Sequence, residues 1–170
     1  RFVQSFLFNV GALKRDKQHY RVFTSSFLHG NLFHLMFNMM TLFFFGPVVE
    51  QTLGTDGFLV VYFGAVLTSG IVSFYVNRNR PGYSSLGASD GVSGVILSYC
   101  MFYPLSPIYI MFLPIGIPAI VFAVLFVAIS AGMMGREGNR IAHEGHLGGA
   151  LAGVVLTVLM RPDVLTGLFG

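Results

Sequence analysis

Residues 84–94, Ser84-Ser85-Leu86-Gly87-Ala88-Ser89-Asp90-Gly91-Val92-Ser93-Gly94, place small side chains and hydroxyls at the start of a long apolar segment. Gly87 and Gly91 flank Ser89 closely enough for a second backbone to approach the serine. Taken alone, the stretch is explained more simply as packing, because small residues at this spacing let two membrane helices touch. The choice between packing and chemistry depends on the residues that lie elsewhere in the chain.

The composition is that of a membrane protein. Hydrophobic residues make up 54% of the 170 residues and charged residues only 10%, whereas soluble domains carry about 25% charged residues. We therefore expect an all-α helix bundle within a lipid bilayer, formed by a single domain over residues 1–170. The net charge of +3 is spread over short loops and does not indicate a nucleic-acid partner. Cys100 is the single cysteine, so no intrachain disulfide can form, and we interpret it as a packing residue.

Five apolar segments are long enough to cross a hydrocarbon core about 30 Å thick. Turn-forming residues at 54–57, 77–82 and 135–140 separate some of them, and prolines interrupt the chain between the third and the fourth. Residues 1–30 mix apolar and charged side chains, which predicts an interfacial first loop, and Ile108 to Pro114 is predicted to be re-entrant or interfacial. The five predicted spans are Leu32–Val49, Phe58–Val76, Gly87–Tyr103, Pro118–Gly132 and Ala142–Met160.

The polar residues within these spans are predicted to share one side of the membrane. The first, third and fifth spans run in the same direction, so their N-terminal turns lie in the same leaflet. His34 and Asn38 lie one helical turn apart near the start of the first span, Ser89 starts the third, and His146 lies near the start of the fifth. Polar groups are costly in lipid and usually mark a functional site.

The spacing of small residues predicts that the third and fifth spans touch. Gly145, Gly149 and Gly153 recur every four residues along the fifth span, a pattern that allows close helix contact. That contact would bring Ser89 within reach of His146.

A serine beside a histidine is typical of a nucleophile with its general base. His34 and Asn38, on a third helix, could donate hydrogen bonds to a developing oxyanion. Asp90 follows the serine directly and points about 100° away on a helix, so we assign no orienting carboxylate and expect a dyad.

Several short motifs together resemble the rhomboid intramembrane serine proteases, and the resemblance covers almost the whole chain. Each motif alone is weakly specific, but their order and their placement on the predicted spans are highly specific. The motifs are Tyr20-Arg21 for the aromatic-arginine pair, His34-Leu-Met-Phe-Asn38 for HxxxN, Gly46-Pro-Val-Val-Glu50-Gln-Thr-Leu-Gly54 for GxxxExxxG, Gly87-Ala-Ser89 for GxSG, and His146-Leu-Gly-Gly for the histidine motif.

The resemblance implies a six-helix core that cleaves transmembrane or membrane-proximal segments of membrane proteins by a Ser–His dyad. It implies Ser89 as nucleophile and His146 as general base, with His34, Asn38 and the Ser89 backbone N–H forming the oxyanion hole. The family's first helix would lie upstream of Arg1, so we expect this chain to be a fragment or a processed product. The expected partners are transmembrane protein substrates and membrane lipid, with no cofactor and no metal.

Two positions depart from the family pattern. Asp90 stands where the family usually has glycine, and Gly91-Val-Ser93-Gly94 is a second, literal GxSG sequence one turn further along. We favour Ser89 over Ser93 because Ser89 lies nearer the water-accessible end of its span.

The remaining polar residues have simpler interpretations. We expect His29 and His143 to be hydrogen-bonding residues of a loop and a helix start, and Arg21 and Glu50 to hold the first loop against the core. The cluster His143-Glu144-Gly145-His146 invites a metal-site hypothesis, but zinc proteases need histidines at i and i+4 and here the spacing is three.

Two hypotheses remain open: an active protease, and a catalytically silent rhomboid relative that binds transmembrane helices. A transporter is disfavoured, because no paired membrane carboxylates or inverted repeat are present.

The cations other than Arg161 cluster on the predicted active-site side, which by the positive-inside rule puts that side in the cytoplasm. The resemblance implies instead an outward-facing site in a bacterial inner membrane, with an organelle membrane as the other location.

Overall fold

The computed structural model describes residues 2–110, 115–134 and 142–169, and their main elements are helices packed side by side. A 3-10 turn, Ser25–Phe27, and two short antiparallel strand pairs, β1–β2 and β3–β4, connect the helices. In chain order the elements are α1 Phe2–Phe6, β1 Phe8–Asn9, α2 Val10–Arg15, α3 Arg21–Thr24, α4 Leu32–Asn77, β2 Ser84–Ser85, α5 Ser89–Phe102, β3 Pro107–Tyr109, β4 Gly116–Pro118, α6 Ala119–Met133, α7 His143–Met160 and α8 Val164–Phe169.

Helix α4 is two helices joined at one residue. Gly54 has φ 75° and ψ 166°, a conformation that glycine adopts without steric cost, and it divides α4 into α4a (residues 32–53) and α4b (residues 55–77). The predicted four-residue turn at 54–57 was therefore wrong, because this single glycine makes the bend. Within the described residues, α4 is the helix whose length and hydropathy suit a membrane crossing, and each half has about the 20 residues that one crossing needs.

Helix α5 is shorter than predicted, at 14 residues, whereas α6 has 15 residues and lies one residue later than the predicted span. At 1.5 Å per residue, α5 is about 21 Å long, which is less than a hydrocarbon core. Its central residues from Gly91 to Ser98 are buried, because α5 is surrounded by other helices rather than by lipid. The irregular backbone before α5 finds protein partners, as irregular backbone at membrane depth must: the Gly87 N–H donates to the Ser25 carbonyl.

The residues predicted to be an interfacial first loop are folded. We call their elements, α1, β1, α2, α3 and the 3-10 turn, the first subdomain. Phe8 and Val10 are 2% and 0% exposed and pack against Tyr83. Arg21 is buried, and its guanidinium donates to the backbone carbonyls of Gln4 and Leu7 at 2.8 and 2.9 Å. Arg21 thus has the structural role that we expected.

Glu50 differs from the expectation that it holds the first loop. Its carboxylate accepts a 2.8 Å hydrogen bond from Thr55 Oγ1, so this contact joins the two halves of α4 across Gly54.

The segment predicted to be re-entrant or interfacial contains two antiparallel strands, β3 and β4, between α5 and α6. Ile108 of β3 pairs with Ile117 of β4, and prolines at both ends of the hairpin prevent helix continuation. The predicted residues Met111–Pro114 of this segment, and the predicted loop at 135–140, lie outside the described residues.

Helices α4, α5 and α7 form the centre of the bundle, and the outward faces of the helices are apolar. Phe43, Val124 and Leu159 are 74%, 61% and 71% exposed, and side chains of this kind suit lipid rather than water. Between α5 and α7 the buried residues include Gly94, Gly149 and Gly153, which lets the backbones of these two helices approach each other closely.

Candidate active site

Ser89 and His146 form a hydrogen-bonded pair at the starts of α5 and α7. The distance between His146 Nε2 and Ser89 Oγ is 2.8 Å, within the range expected of a nucleophile and its base. The His146 ring stacks on Phe126 of α6, with 6.1 Å between ring centroids and 24° between planes. That contact fixes the plane of the imidazole and leaves Nε2 directed at the serine.

The backbone before Ser89 requires glycine. Gly87 has φ 132°, and its N–H donates to the Ser25 carbonyl at 3.0 Å. A Cβ on Gly87 would lie 2.6 Å from Cε1 and 2.8 Å from Nε2 of His34, and 3.5 Å from Ser89 Oγ. The missing side chain therefore makes room for the His34 ring beside the serine hydroxyl.

Asn38 reaches the same region through His29. The Asn38 Nδ2 and the His29 Nε2 are 3.0 Å apart, and the Ala88 N–H approaches that same nitrogen at 3.5 Å. Because both neighbours are N–H donors, Nε2 of His29 accepts and the ring is neutral. Burial and, to a smaller extent, the nearby His34 lower the pKa of His29 below 6.5, which favours the neutral ring.

These residues surround a cavity of about 360 Å³. The structure brings all four sequence-predicted site residues, His34, Asn38, Ser89 and His146, to this cavity, as the parity of the spans predicted. The lining residues are Ser25, Asn31, His34, Asn38, Ser85, Leu86, Ser89, Asp90, Ala142 and His146.

Glycines set the separation of α5 and α7. A Cβ on Gly149 would collide with the Asp90 carbonyl oxygen, and one on Gly153 with the backbone of Gly94. The predicted contact between the third and fifth spans is thereby confirmed. Ser69 of α4b adds a hydrogen bond from its hydroxyl to the Gly145 carbonyl, which ties the start of α7 to the neighbouring helix.

The two departures from the family motif have different surroundings. Ser93 is 4% exposed and its hydroxyl donates to the Ser89 carbonyl at 2.7 Å, a bond within its own helix. Asp90 turns toward α7, where a Cβ on Gly145 would lie 2.6 Å from Asp90 Oδ1. Gly145 therefore makes room for the Asp90 carboxyl group.

Sequence reasoning missed a buried polar pair that joins the end of α4b to the start of α7. Asn77 and Glu144 are 1% and 4% exposed, and Asn77 Nδ2 donates to Glu144 Oε1 at 2.6 Å. The only sequence signal was a polar residue at the end of one apolar span and another at the start of a second. His143 starts α7 as expected, although its buried Nδ1 has no hydrogen-bond partner within the described part of the chain.

Comparison with known proteins supports one family. The rhomboid domain family model matches residues 16–163. The human mitochondrial presenilin-associated rhomboid-like protein is 34% identical over 139 residues, which cover 76% of this chain and 35% of that protein. The rhomboid protease GluP of Bacillus subtilis is 32% identical over 134 residues, covering 79% of this chain and 24% of that protein.

A further relative carries a different description. The inactive rhomboid-like protein 8 of Arabidopsis thaliana is 36% identical over 87 residues, which cover 51% of this chain and 25% of that protein. This chain thus spans about a third or less of the length of the curated relatives it matches. With a family match over most of its length, and with a helix bundle of this kind, the chain belongs to the rhomboid family of membrane proteins.

Proposed function

We propose that this chain is an intramembrane serine endopeptidase that cleaves transmembrane or membrane-proximal segments of membrane proteins. The observation that carries the proposal is the 2.8 Å contact between Ser89 Oγ and His146 Nε2 at the edge of a polar cavity. The protease described among the relatives, from Bacillus subtilis, supports the same activity. Residues 1–170 act in this proposal as one domain.

The proposed reaction proceeds in two steps through an acyl-enzyme. Ser89 Oγ attacks the scissile carbonyl carbon while His146 Nε2 takes the hydroxyl proton, and His146 then gives that proton to the leaving amine as the C–N bond breaks. A water molecule from the cavity attacks the resulting ester, again with His146 as base, and releases the acid and the free serine. His34, Asn38 and the Ser89 N–H donate to the oxyanion formed in both steps.

Labelling with a fluorophosphonate probe tests the nucleophile directly. We expect the wild-type protein in detergent to be labelled at Ser89, and Ser89→Ala to abolish both labelling and cleavage of a transmembrane reporter. Ser93→Ala is the matched control, because it removes the same hydroxyl four residues away, and it should retain labelling. Loss in Ser93→Ala with retention in Ser89→Ala would reverse the assignment.

The second candidate function is a catalytically silent protein that binds transmembrane helices. The inactive relative of Arabidopsis thaliana motivates it. In that case the wild-type protein would bind the reporter helix, with neither probe labelling nor cleavage at any pH tested.

The membrane in which the protein acts is also a proposal. Relatives from human and rat are described as mitochondrial, and they favour an organelle membrane over the bacterial inner membrane that we first expected. Fractionation of cells that express a tagged chain tests this location.

A further inference from the structure

A basic cleft lies outside the candidate active site, between the first subdomain and the loop that follows α4. Its volume is about 420 Å³. Three of its six lining residues are cations and none is acidic. The lining residues are Gly11, Lys14, Arg15, Arg78, Asn79 and Pro81.

The two walls of the cleft are held at a fixed distance by backbone contacts. The Gly11 N–H donates to the Pro81 carbonyl at 3.0 Å, and the Val10 N–H donates to the Tyr83 carbonyl at 3.2 Å. A Cβ on Gly11 would lie 2.8 Å from the Pro81 oxygen and 3.0 Å from Arg15 Nη2. The space beside Gly11 is therefore too small for a side chain, and the Arg15 guanidinium lies directly next to this glycine.

The position of the cleft along α4 places it at the membrane surface. The outward residues Ile71, Tyr75 and Val76 near the end of α4b are 49%, 62% and 39% exposed, as lipid-facing side chains are. The helix ends at Asn77, and Arg78 is its C-cap residue. Since the apolar face stops within two residues of Arg78, the cations of the cleft lie at the depth of the lipid headgroups.

The charge of the cleft selects the class of ligand. A single arginine guanidinium can donate two hydrogen bonds to the oxygens of one phosphate. Arg15 and Arg78 lie on opposite walls of the cleft, so a phosphate between them could contact both. Lys14 adds a third positive charge, at the last turn of α2. Basic pockets at this depth are suited to acidic lipid headgroups.

We propose that this cleft binds the phosphate headgroup of an anionic phospholipid, with Lys14, Arg15 and Arg78 as its ligands. Binding there would fix the first subdomain against the end of α4b at the level of the bilayer surface. The proposal uses none of the residues of the candidate active site, so its outcome is independent of whether the chain is a protease.

Native mass spectrometry of the detergent-purified chain tests the cleft, with phosphatidylglycerol as the probe and zwitterionic phosphatidylcholine, which has no net charge, as the comparison. We expect a bound phosphatidylglycerol whose affinity falls about fivefold in each of Lys14→Gln and Arg78→Gln, since a surface cation contributes on the order of 1 kcal/mol to anionic lipid binding. Lys17→Gln is the matched control for Lys14→Gln, because Lys17 is exposed, lies three residues further along the chain and is not part of the cleft. The affinity of Lys17→Gln for phosphatidylglycerol should stay within about twofold of the wild-type affinity.

Three results would overturn the proposal. An equal loss in Lys17→Gln and Lys14→Gln would mean diffuse attraction by surface charge. Equal binding of phosphatidylcholine, whose phosphate is balanced by a choline cation, would mean that the cleft does not select the net negative charge of the headgroup. Displacement of the lipid by millimolar inorganic phosphate would make free phosphate the ligand, whereas we expect the lipid to remain bound.

Discussion

Asn38 has two amide hydrogens, and the contact with His29 uses one of them. The other is available to an acceptor in the cavity that Asn38 lines. The His34 ring packs on Gly87, and His34 lines the same cavity as Asn38 and Ser89. In this arrangement His29 holds the Asn38 amide in place, and Asn38 and His34 line the cavity in which the proposed oxyanion would form.

The proposed oxyanion donors should affect turnover more than substrate binding. We expect His34→Ala and Asn38→Ala each to lower kcat by about 10²–10³-fold, with KM for a reporter substrate changed far less. Detergent-based cleavage assays at several substrate concentrations measure both constants. Unchanged kcat in both variants would remove these residues from the proposed mechanism.

The His29–Asn38 contact should make stability depend on pH. Because the folded-state pKa of His29 lies below 6.5, the unfolded chain takes up this proton first as the pH falls. Stability therefore decreases on acidification from pH 6.5 toward the lower folded-state pKa, and it is unaffected by His29 at higher pH. Thermal unfolding in detergent across this range measures the effect.

His29→Gln separates this histidine from the others. A glutamine amide oxygen can still accept from Asn38 and does not titrate, so the variant should have a flatter stability profile below pH 6.5. A profile parallel to wild type would assign the acid sensitivity to other groups.

At the scale of elements, the contact between α5 and α7 is the most demanding packing in the described chain. Gly153→Ala would place a methyl group against the Gly94 backbone, which can move only with its helix. We expect a loss of about 1–3 kcal/mol in the free energy of unfolding, together with reduced fluorophosphonate labelling as Ser89 and His146 separate. Unfolding in mixed micelles measures the first effect.

Gly132→Ala is the matched control in α6. Among the described residues, no atom lies within 4 Å of a Cβ at that position, and alanine is the better helix former. Stability equal to or slightly above wild type is expected. A loss as large as that of Gly153→Ala would mean that any added methyl group is harmful, and that the α5–α7 contact is not special.

The elements that the sequence predicted well are those with local signals. Helix α7 is an apolar run with polar residues at its start and Arg161 at its end. The glycine repeat of α7 predicted its contact with α5. Three features had no such signal. The length of α5 depends on its burial among other helices, the β3–β4 hairpin depends on pairing with residues 116–118, and the folded first subdomain depends on Phe8 meeting Tyr83.

The candidate site was predictable to the level of residue identity but not of contacts. Because the first, third and fifth spans run in the same direction, the sequence predicted that four residues lie on the same side of the membrane. These are His34, Asn38, Ser89 and His146. The His29–Asn38 bond and the Asn77–Glu144 bond join residues whose partners are fixed only by the packed helices, and for Asn77 and Glu144 the sequence separation is 67 residues. Such pairs cannot be read from the pattern of a single helix.

At the scale of the whole molecule, the chain combines an apolar exterior with a cavity that must hold water for the proposed peptide hydrolysis. Ser85 lies at the approach to the cavity, whereas Leu97, two turns into α5, is 2% exposed. The polar residues of the cavity are gathered at one end of the bundle. Water is therefore expected to enter from one face of the membrane and to stop near the first turns of α5 and α7.

Cysteine accessibility tests this one-sided cavity. In a Cys100→Ser background, which removes the buried native thiol, Ser85→Cys should react with a membrane-impermeant maleimide added from the active-site side of sealed vesicles. Leu97→Cys should stay unreactive from either side, because its side chain is enclosed by α6 and α7. The face from which Ser85→Cys reacts also decides between the two orientations suggested by the charges and by the family resemblance. Rapid labelling of Leu97→Cys from the opposite face would indicate a continuous aqueous path, which is incompatible with a cavity closed at its lower end.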